Sequence, residues 1–161
     1  MRRREPESLI LFLLSLAGDA SPVGDQVRTF IVGDDLAKAM GSIDERIHGL
    51  KVASEYEYRH SRGREVAVKL NFIIDSIERL VLPADARAAF GLLVALFEAD
   101  GVAMENCGEH HWTVQCAYER AMAAMEKAAI FLPREYVEKA VRALMEGDGY
   151  GVRTGLAAIV D

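Results

Sequence analysis

Cys107-Gly-Glu-His110-His111, followed by Cys116, is the densest grouping of metal-ligating side chains in the sequence. Thiolate and imidazole are the ligand set of zinc, and a loop leading into a helix is a common way to present them. Cys107, His110 and His111 are therefore candidate ligands for zinc or another transition metal, with Glu105 as a more distant carboxylate. Such a centre implies a metal-binding bundle with redox or hydrolytic activity. The spacing restrains that reading, since a single C-x2-H stands without a second C-x2-C or an H-x3-H. At ~100° per residue, Cys116 points ~140° away from His111 and ~120° from His110, so it cannot share their ion. The competing reading is a capped helix start, with His111 at the edge of a core beside Tyr118 and Met122.

A second grouping is electrostatic. Arg59, His60, Arg62, Arg64 and Lys69 form the one compact positive cluster away from the N-terminus, with Tyr56 and Tyr58 beside it. Arginines on a turn with adjacent aromatic rings can grip phosphates or stack on bases, which marks these five as candidate nucleic-acid or anion contacts. Glu55, Glu57 and Glu65 dilute the charge, and a solvated turn between helices is the simpler reading. Glu57-x-x-His60 also matches the local pattern of carboxylate-bridged di-iron bundles, but those need a second copy and two further inward glutamates. With one copy only, His60 reads instead as a C-terminal helix residue near carbonyl dipoles.

Nucleophilic and nucleotide chemistry find little to work with. There is no G-x-S-x-G, no P-loop, no G-x-G-x-x-G after a strand and no H-E-x-x-H. The glycine-rich GDGYGVRTG, with Asp148, Tyr150 and Arg153, lacks a preceding strand and a P-loop lysine, so it reads as a connector.

The elements that must position these residues are helical. Ala84–Asp100 (ADARAAFGLLVALFEAD) has apolar side chains around nearly its whole circumference, which places it in the middle of a bundle, with Gly101 as its stop. Arg64–Leu82 carries Val66, Ala67, Leu70, Ile73, Ile74, Ile77, Leu80 and Val81 within ~140°. Val68 and Phe72 lie on its opposite side, as a contact with a further helix or as an exposed anchor for a partner. Glu109–Leu132 is a long helix with a stripe of Val114, Ala117, Tyr118, Ala121, Met125 and Ala128, and Gly101–Gly108 is the loop before it. Pro133 opens a helix over Arg134–Glu146 with Tyr136, Val137, Ala140, Val141 and Leu144 inward, and the tail docks through Val152, Leu156, Ile159 and Val160. Earlier in the chain, a helix over Pro6–Ala17 precedes Gly24–Val32, whose β-branched content suits a strand but which has no partner to pair with, so a helical turn or an extended connector is expected there. Asp34 or Asp35 caps a short helix through Met40, Gly41 breaks it, and the capping box Ser42-Ile-Asp-Glu45 starts a new one that runs to about His60.

These pieces predict an all-α fold, a single domain over residues 1–161 with six to seven helices around the apolar helix 84–100. The net charge of -6 is concentrated in residues 81–161, at -5, against -1 in residues 1–80, which argues against a nucleic acid held by the whole surface. Two cysteines are too few for a disulfide framework and fit a reducing, cytoplasmic compartment. Met1-Arg-Arg-Arg and the apolar run Leu9–Ala17 resemble a secretory leader, yet Glu5, Pro6 and Glu7 interrupt it and the run is far short of the ~20 residues of a membrane span. The expected function is accordingly non-enzymatic: a helical interaction protein without a cofactor, self-associating or serving as a small subunit of a larger, in its narrower form nucleoprotein, complex. Val68 and Phe72 are its candidate interface, and the sequence does not identify a small-molecule substrate.

Overall fold

The computed structural model describes residues 35–52 and 63–160. Among them every regular element is helical. They are α1 (Leu36–Val52), α2 (Gly63–Ser76) with a π-helical continuation (Ile77–Val81), α3 (Ala86–Phe97), α4 (Asp100–Glu105), α5 (His111–Ala129) and α6 (Arg134–Glu146). Short 3₁₀ turns precede α5 (Gly108–His110) and follow α6 (Thr154–Ile159). The expected segments Pro6–Ala17 and Gly24–Val32 lie outside the described residues.

Asp35 caps α1 through a hydrogen bond that its Oδ1 accepts from the Lys38 N–H at 3.2 Å. The expected break at Gly41 does not occur, because α1 runs through it without interruption. Ala39, Ile43, Ile47 and Leu50 bury one stripe that spans the glycine, and tertiary burial outweighs a propensity cost of about 1 kcal/mol. Ser42 is thus a mid-helix residue, and its hydroxyl accepts from Arg46 Nε at 3.5 Å instead of capping. A Cβ on Gly41 would meet nothing within 4 Å. Gly41→Ala is expected to raise stability by about 0.5–1 kcal/mol in urea unfolding; a loss would mean that a break at Gly41 is needed after all.

The apolar stripe of α2 is buried as its spacing demands, from Val66 through Leu70 and Ile74 to Ile77 and Val81. Its last turn widens, with the Leu82 N–H reaching back five residues to the Ile77 carbonyl at 2.9 Å. Just before it, the buried Ser76 donates its hydroxyl to the Phe72 carbonyl at 2.8 Å. Such back-bonding adds a second donor to a helical carbonyl and loosens the ladder there.

Asp85 caps α3, accepting from the Ala88 N–H at 2.9 Å. The helix ends at Phe97, earlier than the expected Asp100, and Gly101 falls inside α4, in a stretch expected to be loop. What ends α3 is a turn at Glu98-Ala99, after which Asp100 restarts the helix with a carboxylate in the first turn. α3 packs against α1, the π segment, α5 and α6, and shares the middle of the bundle with α5. The most extensive pairing is α2 with α5. On its rim Arg120 reaches Asp75 at 2.6 Å and Lys127 reaches Glu78 at 2.7 Å, so the two helices run in the same direction.

Candidate interaction surfaces

The parallel course of α2 and α5 brings together two groups that lie far apart in sequence. The 3₁₀ turn carrying His110 packs against α2, on which Arg64, Val68 and Lys69 are exposed. His110, His111 and Trp112 are exposed on the α5 side of this end of the bundle. Arg59, His60 and Arg62 lie outside the described residues.

The three candidate metal ligands are not brought together. Cys107 is buried, and its thiol donates to the Met104 carbonyl at 3.0 Å, while His110 and His111 face solvent. Burial pushes the Cys107 thiol above its ordinary pKa, which disfavours the thiolate a metal needs. No group of three His, Cys, Asp or Glu side chains among the described residues is placed to hold an ion. Both cysteines are free thiols.

On the second face of α2, the expected apolar pair divides. Phe72 is half-buried and lies under the Arg46 guanidinium of α1, whose carbon sits 4.6 Å from the ring centroid. The second helix face thus has an intramolecular neighbour at Phe72. Val68 stays 43% exposed.

The polar centre of the molecule is Arg153, from the stretch read as a mere connector. Gly151, at φ 72°, turns the chain back so that Arg153 enters the interior. Its Nε and Nη2 each donate to Asp100 at 2.6 Å, as a bidentate pair. Nη1 donates to the Leu144 carbonyl and Nη2 also to the Phe97 carbonyl, both at 2.8 Å. One guanidinium thereby caps the C-terminal ends of α3 and α6 and holds the start of α4. A Cβ on Gly147 would sit 3.0 Å from Nη1, so glycine makes room for the arginine to pass. The hydrogen bonds to Asp100 hold the Arg153 pKa above its ordinary value despite burial. Sequence spacing carries no sign of a pair 53 residues apart; its one legible trace is an arginine among the apolar residues of the tail.

Tyr118 lies against this centre, donating its hydroxyl to the Leu96 carbonyl at 3.4 Å. Burial first, and then the negative charge of Asp100, push its phenol far above the ordinary value, with Arg153 opposing. The folded state holds the Tyr118 proton where the unfolded chain releases it near pH ~10. Its contribution is therefore fully present below that pH and is lost as pH rises above it. Tyr118→Phe is expected to lose less stability than the parent between about pH 9.5 and 11; parallel losses in chemical unfolding would show that Tyr118 does not drive the alkaline limit.

Both ends of α5 expose large apolar side chains. Trp112 is 70% exposed at its start, Ile130 and Phe131 75% and 74% just beyond its end. With 19 residues, α5 separates the two sites by roughly 27 Å. A groove of about 270 Å³ opens beside Ile130, between the end of α5, the start of α6 and the final 3₁₀ turn, floored by Ala129, Leu132, Val137 and Ile159. The sequence signal for this site was Ile-Phe-Leu before Pro133, a helix end with more apolar side chains than its inner face can take. Among the described residues no helix is long and apolar enough to cross a membrane. Compared with protein-family models, with curated proteins and with solved structures, the chain matches none.

Proposed function

We propose that this protein is a non-enzymatic helical interaction protein, a homo-oligomer or a small subunit of a larger complex. The observation that carries the reading is that Trp112, Ile130 and Phe131 are 70–75% exposed on a bundle whose other large side chains, among the described residues, are mostly well packed. Burying each removes apolar area from water at about 25 cal/mol per Å², so a partner surface over them stabilises a complex without adding to the fold. Aromatic side chains are the residue type that anchors interfaces.

The end of the bundle that holds Trp112 also has a narrower form of this function. There the helix that exposes Arg64 and Lys69 packs against the turn before an exposed indole, a combination that suits a single-stranded nucleic acid or another anion. The test takes the full chain with Trp112, Ile130 and Phe131 all changed to serine. Thermal stability should stay within about 1 kcal/mol of the parent, since exposed positions carry little folding energy. Self-association and co-purification with partners from the source cell should both disappear. A parent that is monomeric at all concentrations and recovers neither protein nor oligonucleotide would end the proposal. Oligonucleotide binding that weakens with salt and on Trp112→Ser alone would assign the nucleic-acid form.

A further inference from the structure

The groove and the turn at the end of α5 continue onto α6, and the charge of this face identifies what fits it. Between Glu126 and Glu146 the chain carries four acidic and four basic side chains, all at the surface, and is electrically neutral. The chain as a whole is at -6, so the remainder carries all of the net charge. Two copies of an acidic protein approach with least repulsion through a neutral face.

Along α6 the charges are also ordered. Arg134, Glu135 and Glu138 give the first half a net -1, and Lys139, Arg142 and Glu146 give the second half a net +1. A two-fold axis perpendicular to a helix lays it antiparallel on its own copy, which sets each half against the half of opposite sign. The helix dipoles then oppose favourably as well.

Resting on the interaction reading above, we propose that the face formed by Ile130, Phe131 and α6 pairs with the same face of a second copy, antiparallel about a two-fold axis. Ile130 and Phe131 of one protomer then lie toward Met145 of its partner, itself among the exposed large apolar side chains. Two side chains cannot supply the roughly 800 Å² per partner that a stable interface needs, so the contact runs along α6 and over the groove. The Val68 face and the Trp112 end stay outside it, free for other partners.

Sedimentation equilibrium of the full chain tests the pairing. The parent is expected to be a dimer at tens of micromolar, and Phe131→Asp should weaken it about tenfold or more. Arg142→Glu turns the second half of α6 negative and should weaken dimerisation about tenfold as well. Adding Glu135→Arg to Arg142→Glu exchanges the signs of the two halves and should restore most of the affinity. Circular dichroism of each variant should match the parent, since all three positions are exposed. A parent that stays monomeric would overturn the pairing, and so would a dimer indifferent to Phe131→Asp or a charge exchange without rescue. If a monomeric parent still recovers a different partner from the cell, the interaction function stands and only the second copy falls. A dimer lost on Trp112→Ser but not on Phe131→Asp would move the interface to the other end of α5 and overturn this assignment.

Discussion

Asp100→Ala is expected to cost about 3–5 kcal/mol of folding stability. The substitution leaves the Arg153 guanidinium in the interior, where its side chain is 8% exposed, with its bidentate partner gone and Asp148 as the remaining carboxylate near it. The carbonyls of Phe97 and Leu144 would remain as partners, but they neutralise no charge. For a chain of this size the loss corresponds to a fall in melting temperature of roughly 6–20 °C. Arg153→Met should cost a comparable amount, because it leaves the Asp100 carboxylate, 4% exposed, without its cation and takes a donor from the carbonyls of Phe97 and Leu144. The double variant Asp100→Leu with Arg153→Met should recover much of the loss, since an apolar pair of similar volume often replaces a buried ion pair at little cost. Calorimetry of the four proteins decides this. A single-variant loss below about 1 kcal/mol would mean that the pair is solvated in solution.

Phe97→Ala should be nearly as damaging, at about 3–5 kcal/mol. The ring is fully buried at the end of α3 and lies 5.4 Å from that of Tyr118, tilted by 44°. Truncation removes this contact and leaves a cavity under the corner that Arg153 ties down. Phe97→Leu should cost about 1 kcal/mol, because it keeps most of the volume. If both substitutions cost the same in urea unfolding, the site relaxes freely and the corner is looser than its burial implies.

How much of this was legible in the sequence depended on the range of the force concerned. Helices set by periodic burial could be read directly. The α2 stripe is buried where its spacing put it, α5 buries Val114, Ala117, Tyr118, Ala121, Met125 and Ala128, and α6 has the expected bounds. Local rules failed where tertiary contact overruled them. By local rules Gly41 breaks the helix, yet burial on both sides carries α1 across it, and the end of α3 is set by a turn and by Asp100 instead of by Gly101. The widened turn of α2 has no apolar signature at all, since Ile77 and Val81 stay inward whether the turn is α or π. Of the candidate sites, Cys107, His110 and His111 are adjacent in sequence but diverge, because a buried thiol and two exposed rings cannot meet. For Ile130 and Phe131 the surplus of apolar residues at the helix end is legible, but whether a neighbouring segment covers them is set by the tertiary fold.

The Arg153–Asp100 pair also orders events in time. Synthesis proceeds from the N-terminus, and Arg153 follows every helix end that it ties, so α3, α4 and α6 must all emerge while Asp100 has no cation to meet. Until then the corner at Phe97 has a carbonyl and an acid without their arginine, and these favour water over the interior. The stretch after Gly151 is therefore expected to be the last part of the middle to lock. A message cut short before codon 153 would yield a product with nearly all of its apolar residues and no means to lock them, the kind of species that quality-control proteases remove.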